Sequence, residues 1–180
     1  MIKLAGNLYL NTYPFWLTYK PKHHKVKGTE VRQIIENIQV GDILLQRHDG
    51  YISTIAIPGF WCHAAIYIGD GKIIHAVGQG VCEEDLLDFC RCDSVCILRV
   101  NNGDKESAIK IAYQMKTDGL QYDYKFQSDD GQTVYCTEFV DRCYNGRFHK
   151  AYGIVAGNNI LTPDGMRNSQ SSNIVIEFKH

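Results

Sequence analysis

The chain has 180 residues, 44% of them apolar, enough to bury one core and build one domain. Its formal net charge of −1 excludes a protein whose overall field draws it to nucleic acid. Seven cysteines, an odd number without the regular spacing of a secreted scaffold, exclude complete internal disulfide pairing and point to a reduced compartment.

Residues 1–28 carry Tyr9, Tyr13, Phe15, Trp16 and Tyr19, then a basic run of Lys20, Lys22, His23, His24, Lys25 and Lys27. They read as an irregular N-terminal arm whose aromatics pack on the body and whose basic run is a solvated loop. The domain proper is expected over 29–180. Residues 1–17 contain Asn7, Asn11 and Pro14, with no clean apolar core and no small-residue cleavage site of a signal peptide. No apolar run reaches membrane-spanning length. The expectation is a cytoplasmic protein without a membrane anchor, with membrane contact and delivery by lysis or a virion left open.

Thr29 caps a short helix carrying Val31, Ile34, Ile35 and Ile38, ended by Gly41-Asp42. Ile43-Leu44-Leu45 reads as a buried strand, and Asp49-Gly50 as a turn. Residues 62–68 and 72–77 are β-rich runs joined by Gly69-Asp70-Gly71, a hairpin signal. Val95–Val100 is a further strand. Ala108–Met115 is helical, with Ile109, Ala112 and Tyr113 on its inner stripe. Cys136–Tyr144 is a second helix, with Phe139, Val140, Cys143 and Tyr144 facing in and Gly146 as its C-cap. Thr162–Gly165 is a turn, and Asn173–Phe178 is a last strand. The sum is an α+β domain with a mainly antiparallel sheet.

Three residues carry candidate chemistry. Cys136 stands at a helix start, where the partial positive charge favours a thiolate. His63 and His75 stand on the two arms of the hairpin. If residues 69–71 form a three-residue loop, positions 68 and 72 pair and position 65 lies opposite His75. His63 and His75 are then diagonal neighbours on one face, about 7–8 Å apart at the backbone. A two-residue loop would put them on opposite faces. A nucleophile, a base and a group that orients the base are the parts of a cysteine nucleophile site. Each also has a plainer reading, as a buried small hydrophobe or a hydrogen-bonded strand histidine. Glu138, in the first helical turn, takes a structural role. Cys82, Cys90, Cys92 and Cys96 cluster in sequence, but their Cys-x-Cys and Cys-x-x-x-Cys gaps are loose for structural zinc, so no metal is expected. Tyr51, Phe60 and Trp61 either line an apolar acyl pocket or belong to the core.

Together these segments resemble the circularly permuted papain-like branch of the NlpC/P60 superfamily. That branch includes YiiX- and YebB-like bacterial proteins, a poxvirus protein and the lecithin retinol acyltransferases. The resemblance runs over about 38–178 and rests on six pieces in order. They are Gly41-Asp42-Ile43-Leu44, His63-Ala-Ala-Ile-Tyr-Ile-Gly-Asp-Gly71, Ile74-His75-Ala76, Gly119-Leu-Gln-Tyr-Asp123, Tyr135-Cys136-Thr137-Glu138 and Leu161-Thr-Pro-Asp164. In unpermuted relatives the cysteine comes first; here both histidines precede it.

The resemblance implies a permuted papain-like fold, an antiparallel sheet packed on a nucleophile-bearing helix. It also implies a cysteine hydrolase, amidase or peptidase in type, working without a cofactor through a thioacyl intermediate. Cys136 is then the nucleophile, His63 the base and later the acid, and His75 the orienting member, a role that Glu83 or Glu84 is the alternative to fill. Tyr135 or Tyr122 would help the Cys136 N–H hold the oxyanion. The expected substrate is a small-molecule, peptide or acyl-amide compound. A thiol acyltransferase using the same residues, and a non-catalytic binding or virion protein on the same fold, are the alternative readings.

Overall fold

The structure is a computed structural model. It describes residues 24–49, 58–126, 131–155 and 157–180, together with the backbone of 2–5, 8–12 and 15–19. The N-terminal arm is not irregular. β1 (Ile2–Ala5), β2 (Leu8–Thr12) and β3 (Phe15–Tyr19) form an antiparallel meander. The aromatics read as packing anchors are also strong strand formers, and that propensity prevails.

The body is built on a six-stranded sheet. Its strands are β4 (Ile43–Arg47), β5 (His63–Gly69), β6 (Lys72–Val77), β7 (Gly80–Asp85), β8 (Ser94–Val100) and a C-terminal strand, Ser172–Phe178. The spatial order runs from the C-terminal strand through β8, β4, β5 and β6 to β7, with every pair antiparallel. Ile43-Leu44-Leu45 is apolar without alternation because both faces of the sheet are covered. Ile43, Leu45, Ala64, Ile66, Ile74, Cys96 and Leu98 face one core, and Leu44, Ala65, Ile73, Val95 and Ile97 the other. β7 is absent from the sequence reading. Its Glu83-Glu84-Asp85 end has low strand propensity, and it is tolerated because β7 is an edge strand.

Helix α1 (Gly28–Asn37) buries Ile34 in the second core. Its N-cap is Lys27, whose backbone N–H donates to Glu30 at 2.8 Å, and Thr29 lies inside the helix. The short helix α2 (Leu86–Phe89) covers the same face with Leu86 and Phe89. On the other face lie α3 (Lys105–Thr117) and α4 (Cys136–Cys143). The buried stripe of α3 is Ala108, Ala112 and Met115, while Tyr113 is exposed. The helix starts at Lys105, capped by Asp104, whose carboxylate accepts the Ser107 N–H at 3.0 Å, and Ile109 packs half-buried beside the stripe. α4 inserts Phe139, Val140 and Cys143 against β5 and β6. Between these helices, β9 (Gln121–Tyr122) and β10 (Thr133–Val134) pair in parallel. β11 (Tyr152–Val155) and β12 (Asn158–Leu161) form a hairpin. The expected turn at 162–165 opens a helix, α5 (Pro163–Asn168), with the Thr162 hydroxyl accepting the Gly165 N–H at 3.0 Å. The C-terminal strand is β13. Among the described residues no helix is long and apolar enough to cross a membrane.

Gly41-Asp42 is a structural joint. Asp42 is fully buried and accepts Arg99 Nε at 2.9 Å, Arg99 Nη2 at 2.7 Å and the Gln39 N–H at 2.8 Å. Removing that carboxylate takes the partner from the Gln39 N–H and from Arg99 Nε, while Arg99 Nη2 keeps the Asn37 carbonyl at 3.0 Å. Asp42→Ala is expected to destabilise the protein by about 2–4 kcal/mol, read as a lower denaturant midpoint with unchanged m-value.

Candidate active site

The hairpin determines whether the histidines meet. Its tip differs from the expected three-residue loop. Asp70 (φ 50°) and Gly71 (φ 71°) form a two-residue turn closed by Gly69 paired with Lys72. A bulge between Tyr67 and Gly69 then takes up one residue, so that Ile66 pairs with Ile74 and Tyr67 with Ile73. This register brings position 65 to the level of His75. The turn alone would have set the histidines on opposite faces, and the bulge restores the shared face.

His63 Nε2 lies 3.1 Å from His75 Nδ1, with the ring centroids 5.2 Å apart. Phe89 sits beside both rings, at 6.1 and 6.3 Å. On its far side His75 Nε2 is 3.7 Å from a Glu84 carboxylate oxygen. Glu83 is unsuited to that role: it lies opposite Ile74, on the other face, and its carboxylate holds Lys72 at 2.7 Å and Lys116 at 2.8 Å. Burial pushes His75 down to about 4. Burial, followed by the neighbouring His75 and His48, holds His63 well below the usual histidine range. Both imidazoles are therefore neutral at pH 7, and His63 is in the form that accepts a proton.

Cys136 is the first residue of α4, and its side chain is almost wholly buried. The helix start is fixed by Glu138, which accepts the Tyr135 N–H at 3.4 Å and pairs with Arg142, the structural role expected of it. Burial pushes the thiol up to about 11, although the backbone N–H groups of Ala64, Thr137 and Cys136 itself pull the other way. The expected thiolate is thus replaced by a neutral thiol, because desolvation outweighs the helix terminus. The sulfur rests against β5 at the Ala64 N–H, and Ala64 follows His63 in the chain. No hydrogen bond joins Cys136 to His63 among the described residues. The resting pair is a thiol and a neutral base.

The two tyrosines separate. Tyr122 is set by parallel pairing with Val134, two residues before Cys136. Its hydroxyl hydrogen-bonds the Cys136 sulfur, and burial followed by the sulfur's proximity keeps it protonated. Tyr135 has its hydroxyl elsewhere, accepting the Leu161 N–H at 3.2 Å and a bond from Tyr152. Thr137 completes the clamp by donating to the Leu161 carbonyl at 2.6 Å. The residues on either side of Cys136 therefore lock the β12 backbone, and of the two tyrosines it is Tyr122 whose hydroxyl meets the sulfur.

A pocket of about 120 Å³ opens at Cys136. Its wall includes Phe126, Tyr135, Val155, Ile160, Leu161 and Pro163, and among the described residues no charged side chain lines it. The expected wall residues are elsewhere. Trp61 is buried in the core, with its backbone N–H on Asp164 at 2.8 Å. Phe60 stacks edge-on against Trp61 under the cations of Arg47 and Lys179, at 4.6 and 4.1 Å. Tyr51 lies outside the described residues. The sequence reading missed the β11–β12 hairpin that supplies the wall. Its signal was Gly157-Asn158-Asn159 between the apolar pairs Ile154-Val155 and Ile160-Leu161.

Residues 37–179 match the family described as permuted papain-like amidase enzyme, YaeF/YiiX, C92 family. The chain belongs to this family. Among solved structures, the Escherichia coli protein described as the metalloprotein yiiX is similar, with a TM-score of 0.61 at 18% identity. The similarity covers 79% of this chain and 98% of that one. It establishes a shared fold, the α+β permuted papain-like architecture, with the antiparallel sheet packed on α4. No curated protein matches the chain. Membership makes this a cysteine-hydrolase scaffold of the amidase and peptidase type. Among the described residues no three His, Cys, Asp or Glu side chains converge to hold a metal ion. The four clustered cysteines are split, with Cys90 and Cys92 in one core, Cys96 in the other and Cys82 half-buried.

Proposed function

We propose that the protein hydrolyses an amide whose acyl group is neutral and apolar, through a thioacyl intermediate on Cys136. The observation that carries this reading is a buried thiol lining a pocket with no charged side chain among the described residues, its sulfur against the Ala64 N–H, next in the chain to the His63 of a neutral His63–His75 pair. His63 takes the thiol proton as the sulfur attacks the carbonyl carbon. The tetrahedral oxyanion is held by the Cys136 N–H and the Tyr122 hydroxyl. His63 then passes the proton to the leaving nitrogen, the C–N bond breaks and the amine departs. Water attacks the thioester, His63 takes its proton, and the carboxylic acid leaves as the thiol is restored. Among the described residues no charged side chain lines the pocket to pair with the carboxylates of a cell-wall peptide, and burying one unpaired there costs several kcal/mol.

The test is a matched pair of N-acyl amide substrates with the same leaving amine. One acyl group is a short branched alkyl chain, and the other is its carboxylate-bearing analogue. The expected result is a kcat/KM at least about 100-fold higher for the alkyl substrate. Equal rates, or preference for the charged one, would overturn the substrate assignment.

A further inference from the structure

Two histidines in contact pose a problem that a single base does not. Each neutral imidazole carries one N–H, and the bond between His63 Nε2 and His75 Nδ1 can run either way. If His75 donates from Nδ1, then His63 Nε2 is the acceptor and the His63 proton sits on Nδ1. Its second nitrogen then has no lone pair for the thiol proton. If His63 donates from Nε2, its Nδ1 is free to act as base. Catalysis needs the second arrangement.

We propose that Glu84 is a positioning residue that selects the productive tautomer of both histidines. This rests on the proposed roles of His63 and Cys136. The three side chains form one diagonal row on one face of the sheet. His75 lies opposite Cys82 on β7 and Ile73 lies opposite Glu84, so Glu84 is the diagonal neighbour of His75. His63 is the diagonal neighbour on the other side, by the register of β5 and β6. The distances along the row are 3.1 Å from His63 Nε2 to His75 Nδ1 and 3.7 Å from His75 Nε2 to Glu84. A carboxylate at His75 Nε2 favours an N–H there. His75 Nδ1 is then an acceptor, His63 Nε2 must donate, and the His63 Nδ1 lone pair is left for the thiol. Among the described residues Glu84 makes no other ion pair, whereas its neighbour Glu83 is held by two lysines. Burial, then the neighbouring Asp88 and Asp85, push the Glu84 carboxyl upward.

The test reads tautomers directly, by nitrogen NMR of histidine-labelled full-length protein, and Cys136 reactivity by iodoacetamide at pH 7.5. Wild type should show both histidines protonated at Nε2. Glu84→Ala should transfer a measurable population to the Nδ1–H forms and slow Cys136 alkylation about tenfold. Glu84→Gln, which keeps a neutral acceptor on an edge strand, should fall between the two and guards against a folding defect in the alanine variant. Unchanged tautomers in both variants would overturn the proposal. A tautomer shift in Glu84→Ala, together with a wild-type protein that hydrolyses no amide probe, would strike instead at the proposed function and leave the positioning role standing.

Discussion

Cys136→Ala is expected to abolish amide hydrolysis, lowering kcat by about 10⁴-fold or more, because no other group at the pocket mouth can form the acyl-enzyme. The fold should survive. The lost sulfur is one buried atom at the edge of the core, and the clamp of Tyr135 and Thr137 on Leu161 is untouched. Stability should fall by no more than about 1–2 kcal/mol. Circular dichroism and a denaturant midpoint check the fold, and an amide-release assay checks the loss. The same variant should bind the alkyl amide substrate with near-unchanged affinity, since the wall residues of β11 and β12 are intact.

His63→Ala is expected to cost about 10³-fold in kcat/KM at pH 7 and to change the shape of the pH profile. The thiol sits at about 11, so without a base only about one molecule in 10⁴ holds a thiolate at pH 7. Activity of the variant should therefore climb about tenfold per pH unit towards pH 9, tracking hydroxide. The wild type behaves differently. In the proposed mechanism protonated His63 is inactive as the base, and burial and its histidine neighbours displace its titration to low pH. The acid limb of wild-type kcat/KM should then lie well below the ordinary histidine value near 6.5, with the rate flat from pH 8 through that value. A limb at 6.5 would mean that His63 is solvated in the working enzyme.

The sheet, α4 and the His-His-Cys order were legible because each has a strong local signal. Uninterrupted runs such as Ile43-Leu44-Leu45 announce strands buried on both faces, and Phe139, Val140 and Cys143 recur at helical spacing. What was not legible depends on geometry that no local pattern encodes. The bulge at Ile68 adds a residue without changing composition, so the loop read as three residues is a two-residue turn plus a bulge. The neutral thiol follows from depth of burial, which outweighs the helix terminus that sequence position makes visible. Trp61 and Phe60 look the same on paper as pocket walls or as core, and contacts with Asp164, Arg47 and Lys179 decide the matter. Glu84 was distinguishable from Glu83 only through strand register, because the two differ in nothing but the face they occupy.

The central claim is that an acyl group passes through the Cys136 sulfur. Intact-protein mass spectrometry of an acid quench, taken during turnover of the alkyl amide, measures this directly. A mass increase equal to the acyl group is expected, mapped to the peptide carrying Cys136, removed by hydroxylamine and absent in Cys136→Ala. Turnover with an unmodified Cys136 at every quench time, or an adduct that persists in Cys136→Ala, would contradict it.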